Sequence, residues 1–513
     1  MNDSIIITDL AAELDEEGEP VRGNLNRTRL LEPPSEATRK RQSIGIATER
    51  ILAEIKENSG ADVAKLDKND SRGRNRFKDT LKLILCNLFS AWSTYDHGRR
   101  AMPATLRPYI AYSRSPSAYA APKYKGLRLT YKNTIPIVNG LLALGYIENQ
   151  NGFHDAATGK GRVSRMRATP RLILAMIGHG VEVHHVELDI ELVRLRRKID
   201  GDRKGEKRSI EIPLKKTSQV CSIAKRVAKV NDMLRSTSVE LRITLQQLED
   251  IVRKQNHFKD FEESGQLDST LPRAYNTNNK LMYRVFNDKK SLKLGGRFYG
   301  HWVQGVPRKL RHNHLYINGV KAIEIDFDSI HPNLLYRLYA KVTPPKGDLY
   351  DLSQQGIDMN RTGTVDGERL KLRKIVKIAL LTLINARTEK GAIQSLHQGR
   401  RVGRRFERGI AKRFGMTRPQ VLALVEAIKV KHAPIAQWLC SEIGKELQYH
   451  DSRIAEQVML GLWQKGIPCL CVHDSFLVQD VHQTKLEQAM KDTSTHISGS
   501  PIPYTFKTYP TFR

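Results

Sequence analysis

Ile323-Glu324-Ile325-Asp326-Phe327-Asp328 and, far downstream, Cys469-Leu470-Cys471-Val472-His473-Asp474-Ser475-Phe476-Leu477-Val478 set the architecture of this chain. Both are short hydrophobic runs, mostly β-branched or aromatic, and such runs predict buried strands. Each carries an aspartate, Asp326 and Asp474, where the run breaks. Two carboxylates emerging at strand ends can share a pair of Mg²⁺ ions. Hard cations take oxygen ligands, and Mg²⁺ commonly takes only one or two carboxylates beside substrate phosphates. A pair of such ions about 3.5–4 Å apart forms the clamp used in phosphoryl and nucleotidyl transfer.

The surroundings of these runs agree with a phosphate-rich partner. The chain has 513 residues, enough for several domains, and 85 Lys plus Arg against 55 Asp plus Glu, a net charge of +30. Charge of that size calls for a polyanion, and nucleic acid is the first candidate. No apolar run reaches the ~18–20 residues needed to span a bilayer, so no membrane partner is expected. The N-terminus lacks the basic start and apolar stretch of a secretory signal. The five cysteines are scattered and form no disulfide or zinc pattern, so a reducing, cytoplasmic setting is expected. Cys469 and Cys471 share a strand face and read as small core residues.

Four regions follow along the chain. Residues 1–45, acidic at first, read as a disordered tail. Residues 46–190 read as a mostly helical DNA-binding domain. Helical spacing runs from Phe77 to Trp92 and from Thr130 to Tyr146, and a glycine-rich loop leads into the basic Arg162–Thr169 stretch. Helix, strand, glycine-rich loop and basic strand is the order of a winged helix and resembles the winged-helix domains of plasmid and phage replication initiators. Lys132 would lie on the recognition helix, and Arg162, Arg165 and Arg167 would track phosphates from the wing. Residues 191–289 read as a basic helical linker or thumb-like region, with a hinge at Val193–Lys198 and a long helix from Ser218. Residues 290–513 form the catalytic half.

That half holds an ordered set of short motifs. Gly295-Gly296-Arg297 comes first, then Asp326-Phe327-Asp328-Ser329-Ile330-His331. Next come Arg373 and Lys377, with Asn385-Ala386 beyond them, and finally His473-Asp474-Ser475. The set resembles the family A polymerases, meaning the DNA polymerases of that family together with the single-subunit phage and mitochondrial RNA polymerases. The resemblance covers roughly residues 290–513. It implies an α+β, right-hand core: an antiparallel palm sheet with helical fingers, here preceded by the winged-helix-like domain. It also implies that Asp326, Asp474 and the Phe327 carbonyl hold two Mg²⁺ ions, with Mn²⁺ able to substitute. Arg373 and Lys377, one helical turn apart, would grip the incoming triphosphate, and Lys377 would assist the leaving group. Arg297 and His473 would lie along primer and template. The cluster Arg400, Arg401, Arg404 and Arg405 would line the nucleic-acid channel.

Three departures bear on sugar choice. Asn385 stands where the family has a tyrosine beneath the new base pair. His331 stands where DNA polymerases place a glutamate gate against the 2′-hydroxyl. Ser475 follows the second aspartate, as in the single-subunit RNA polymerases. The expected activity is template-directed nucleotidyl transfer on DNA, with nucleoside triphosphates, template, primer and an origin site as partners, in replication of a plasmid, phage or mobile element. Two alternatives stand beside it: an RNA polymerase or primase, and a non-catalytic DNA-binding initiator with a degenerate palm.

Overall fold

A computed structural model describes residues 4–7, 29–30, 34–59, 75–93, 109–120, 127–155, 160–182, 185–187, 189–200, 207–212, 214–244, 280–287, 291–365, 368–402 and 405–506. Helices and antiparallel sheets are mixed throughout. The chain divides into two compact units. One runs from Ile7 to Glu191; the other resumes at Leu192 and also includes Met1–Ile6.

The first unit packs α1 (Gln42–Ser59), α2 (Arg76–Ser93) and α3 (Tyr131–Ala143) over one apolar cluster that includes Ile51, Leu81, Leu88, Ile137 and Leu141. The Thr130 hydroxyl caps α3 by accepting from the Asn133 N–H, and Gly145, at φ 67°, ends the turn beyond it. Strand β1 (Ile147–Gln150), the hairpin β2 (Phe153–Asp155) and β3 (Lys160–Arg162), and β4 (Arg165–Ala168) follow in order. Strand β4 pairs antiparallel with β1 on one side and with Ile110–Ala111 on the other. Thr169 and Pro170 then start α4 (Pro170–Gly178).

The tail is partly ordered, against expectation. Glu36–Lys40 is a helix capped by Ser35, and Ser4–Ile7 is an edge strand of the large sheet in the second unit. The acidic run from Asp9 to Glu19 lies outside the described residues.

The second unit holds two larger sheets. The smaller has the order β9-β8-β5-β6, from β5 (Val193–Asp200), β6 (Lys207–Ile212), β8 (Tyr283–Phe286) and β9 (Gly295–Tyr299). The expected basic hinge is therefore a strand. Its alternating Val193, Leu195 and Arg194, Arg196 put valine and leucine into the core and leave the arginines outward, the period-2 pattern of a half-buried strand. The expected long helix is likewise shorter. Helix α5 spans Ser218–Ser236, and the β-branched Thr237–Thr244 segment turns into strand β7 (Val239–Thr244).

The larger sheet runs from Ser4–Ile7 through β7, β10 (Leu315–Ile317), β11 (Val320–Phe327) and β15 (Ser475–Gln479) to β14 (Leu470–Val472), while β16 (Tyr504–Phe506) also pairs with β11. The unit also contains helices α6 (Arg308–His314), α7 (Leu372–Asn385), α8 (Arg418–Lys431), α9 (Gly444–Trp463) and α10 (Gln483–Ser498), and a hairpin of β12 (Gly399–Val402) and β13 (Arg405–Arg408). Helix α9 packs on β9, and one glycine makes this possible. A Cβ at Gly296, which sits at φ +88°, would lie 2.7 Å from the Phe286 ring and 3.0 Å from the Ser452 hydroxyl of α9.

Candidate active site

Strands β11 and β15 pair antiparallel with Asp326 opposite Ser475, and β14 pairs with β15 with Val472 opposite Ser475. His473 and Asp474 are therefore the two-residue loop of a hairpin. The expected single strand over 469–478 is folded back on itself there. The Phe327 N–H donates to the Asp474 carbonyl at 3.2 Å, which ties the end of β11 to this loop. Both aspartates thus leave the sheet at one end, on neighbouring strands, where the backbone spacing is about 5 Å. His473 sits at φ 63°, in the left-handed region. Two-residue hairpin loops usually place Gly or Asn there, so the histidine holds backbone strain beside the aspartate.

A buried charge cluster lies behind this junction. Glu324 is on the same face of β11 as Asp326, two residues earlier. Its carboxylate accepts two hydrogen bonds from Arg311, both at 2.9 Å, and one from the Ser475 hydroxyl at 2.7 Å. Arg308, on the same helix as Arg311, donates to Asp326 at 2.9 Å and lies 3.6 Å from Glu324. Burial alone would raise the Glu324 pKa, but the Arg311 hydrogen bonds and charge outweigh it and hold it below the usual 4.5. Ser475 is consequently committed to this cluster.

A second cluster forms on Asp451 of α9. Arg297 reaches its carboxylate through Nε at 3.0 Å, and His331 Nε2 lies 2.8 Å from the same group and 3.2 Å from Arg297. Nε2 has one site to fill, so it either donates to Asp451 or accepts from Arg297. Burial would raise the Asp451 pKa, but the His331 hydrogen bond and the Arg297 charge win and lower it below 3.8. His473 lies edge-on to Tyr299 with ring centroids 5.6 Å apart. Burial, seconded by Arg297, keeps its pKa below 6.5, so the ring is neutral at pH 7.

These lowered carboxylates fix a pH dependence. A depressed folded pKa adds stability that is complete above the unfolded value and is lost as pH falls through the folded value. Stability of the second unit therefore begins to fall once pH drops below 6.5, where the unfolded chain protonates histidines that are buried neutral such as His473, and falls more steeply below 4.5 and then 3.8. Urea unfolding between pH 7 and pH 3 checks this. Asp451→Asn is expected to start lower and to show a shallower acid slope.

Helix α7 carries Arg373 and Lys377 on its exposed face. Arg373 chelates Asp348, and both cations lie over the buried Tyr350 ring, at 5.2 and 5.9 Å. Burial pushes the Tyr350 phenol up, against the opposing pull of the Ser329 hydrogen bond and the Arg373 charge. Asn385 closes α7 by donating to the Leu381 carbonyl at 2.7 Å. Its amide fills the space over Gly444, where a Cβ would come 2.1 Å from Oδ1. Arg400, Arg401 and Arg405 lie on the β12–β13 hairpin, and Arg404 falls outside the described residues.

No family model and no curated protein matches this chain. Among solved structures, it is similar to the POL domain of Pol1 from M. smegmatis in complex with DNA primer-template and dNTP, at 12% identity and a TM-score of 0.28. The match covers 50% of this chain and 51% of that one, so the chain spans about half of that structure.

The donor set at the strand-end junction fits Mg²⁺. Among the described residues no three His, Cys, Asp or Glu side chains gather as for a metal. Two carboxylates beside a main-chain carbonyl is the sparse oxygen set that Mg²⁺ accepts, with water and phosphate completing its octahedron. Asp326, Asp474 and the Phe327 carbonyl would supply it. In an extended strand a residue's N–H and C=O point to the same side, and that of Phe327 is the Asp474 side.

Sequence reasoning missed Arg308, Glu324, Tyr350 and Asp451. Only Glu324 carried a signal, a charged residue at an inward position of a hydrophobic strand.

In the first unit the expected wing residues separate. Lys132 is exposed on α3. Arg162 lies on β3. Arg165 and Arg167 are buried, at 7% and 6% exposure, with their guanidinium groups over the Tyr109 ring. Arg165 donates to Gln150 and Arg167 to Glu148, both at 2.7 Å. These two arginines hold β1 to β4, because a buried guanidinium needs acceptors and the opposing strand supplies them. Among the described residues no helix is long and apolar enough to cross a membrane.

Proposed function

We propose that the second unit is a template-directed nucleotidyltransferase, a DNA polymerase of the right-hand type. One observation carries this reading: the register that sets Asp326 opposite Ser475 brings Asp326 and Asp474 to one strand-end junction. Two Mg²⁺ ions there, when bound, would activate a primer 3′-hydroxyl and neutralise charge on the departing pyrophosphate. Arg373 and Lys377 would bind the triphosphate from α7, with Arg373 exchanging Asp348 for phosphate oxygens. Tyr350 gives both side chains an apolar floor. Asp451 aims Arg297 and His331, so that the gate position is occupied by an imidazole that cannot swing freely. The first unit, with Lys132 exposed on α3, would bind duplex DNA as a winged helix and would direct synthesis to an origin of a plasmid, phage or mobile element. Footprinting over a candidate origin tests that setting; binding without sequence preference would sink it.

The decisive test is a matrix of primer-extension assays with dNTPs or NTPs, with and without primer, in Mg²⁺ or Mn²⁺. Extension with dNTPs supports the DNA polymerase reading, and extension with NTPs alone moves the assignment to an RNA polymerase or primase. Inertness throughout, equal to that of Asp474→Ala, would favour a DNA-binding initiator. Arg373→Ala and Lys377→Ala are each expected to raise the KM for nucleotide roughly tenfold or more, the effect of losing one charge-assisted hydrogen bond of about 1.5–3 kcal/mol. Steady-state kinetics on a fixed primer-template checks it.

A further inference from the structure

A cleft of about 230 Å³ opens between α5, β8 and α9, lined by Ser222, Arg226, Arg284, Tyr449, Arg453 and Glu456 among others. It contains three guanidinium groups and one carboxylate. That carboxylate is already spent: Glu456 takes Arg284 at 2.7 Å and Arg226 at 3.0 Å, one on each oxygen. Arg284 is spent too, because its other nitrogens donate to the Gly296 carbonyl and the Ser452 hydroxyl. It forms the floor, 2% exposed and permanently charged.

What is left over is all donor. Tyr449, Arg453 and Glu456 share one face of α9 at helical spacing. Among the described residues neither the Arg453 guanidinium nor the Tyr449 hydroxyl makes a hydrogen bond or ion pair. Arg226 donates one nitrogen to the Ser222 hydroxyl at 2.9 Å, which leaves that hydroxyl's own proton to give away. One unspent cationic fork, Arg453, the remaining Nη of Arg226 and two hydroxyls converge on one concavity with no free acceptor among them. Such a set is complementary to a compact oxyanion with several lone pairs.

We propose that this cleft is a phosphate-binding site, separate from the Asp326–Asp474 junction, that takes one phosphate group of a nucleic-acid strand or of a free nucleotide. It requires no catalysis, and it stands or falls independently of the polymerase reading.

Fluorescence anisotropy of the full chain with a labelled single-stranded oligonucleotide tests it. Arg453→Gln is expected to weaken binding about tenfold and to flatten the salt dependence by roughly one phosphate contact. Ser222→Glu, which plants a carboxylate at an exposed position of the cleft, is expected to do the same. Lys465→Gln, an equal loss of charge on an exposed residue outside the cleft, is expected to bind as wild type. Competition by inorganic phosphate or ATP at Arg453-dependent affinity assigns the site to free nucleotides; its absence assigns the site to the strand. Wild-type binding by both cleft variants overturns the proposal, as does equal weakening by Lys465→Gln. Single-nucleotide extension by the wild-type protein is read in parallel with the binding assay, so a failure of synthesis and a failure of this site are told apart.

Discussion

Asp474→Asn is expected to leave a folded protein whose nucleotide incorporation falls at least ~10³-fold. Replacing one carboxylate by an amide removes a negative oxygen ligand at the point where metal-bound charge would be stabilised. That stabilisation is worth several kcal/mol, and each 1.36 kcal/mol is about tenfold in rate. The substitution is a clean one, because the Asp474 side chain accepts no hydrogen bond among the described residues. Asp326→Asn should lose as much activity but carries a second effect, since Arg308 loses the charge it pairs with at 2.9 Å. The measurement is single-nucleotide extension beside a thermal melt. A melt unchanged within a few degrees with activity retained above a tenth of wild type would remove the junction from the chemistry.

Glu324→Ala is expected to be the most damaging change to stability, by roughly 3–5 kcal/mol, because it strands a buried guanidinium without a counter-charge. Glu324 and Arg311 are 3% and 6% exposed, and no solvent reaches in to replace the lost acceptor. The Ser475 hydroxyl loses its partner as well. Pairing Glu324→Leu with Arg311→Met should recover most of the loss, since an apolar pair of similar volume needs no desolvation. Urea unfolding of the three proteins decides it. A loss under about 1 kcal/mol in the single variant would mean the pair contributes nothing net.

The local part of this architecture was legible in the sequence. The Ile323–Phe327 strand and the helices at Phe77–Trp92 and Thr130–Tyr146 follow from hydrophobic period and capping residues. So does the cationic face of α7, because Arg373 and Lys377 stand at i, i+4 within an apolar helix. Three things were not legible. Asp451 lies in a helix rich in charge, and nothing local distinguishes a carboxylate that will be buried under Arg297 from one that faces water. The hairpin at His473–Asp474 contains no glycine or asparagine, so its turn is disguised as a strand; tertiary pairing with β11 overrides local preference there. Arg165 and Arg167 read as phosphate contacts because a basic strand and a buried one differ only in what stands opposite, here Gln150, Glu148 and Tyr109. Asp326 and Asp474 were each visible, but their approach depends on a strand pairing between segments far apart in the chain.

The bidentate seat of Glu324 has a consequence for how this gene can change. Side chains alternate along a strand, so a single inserted or deleted residue between positions 324 and 326 would turn Asp326 to the opposite face of the sheet. Arg311 and Ser475 hold the upstream residue in place, so the error could not be absorbed by sliding the strand. Natural variants of this protein should therefore differ by substitution in that tripeptide and conserve its length, even where neighbouring loops gain or lose residues freely.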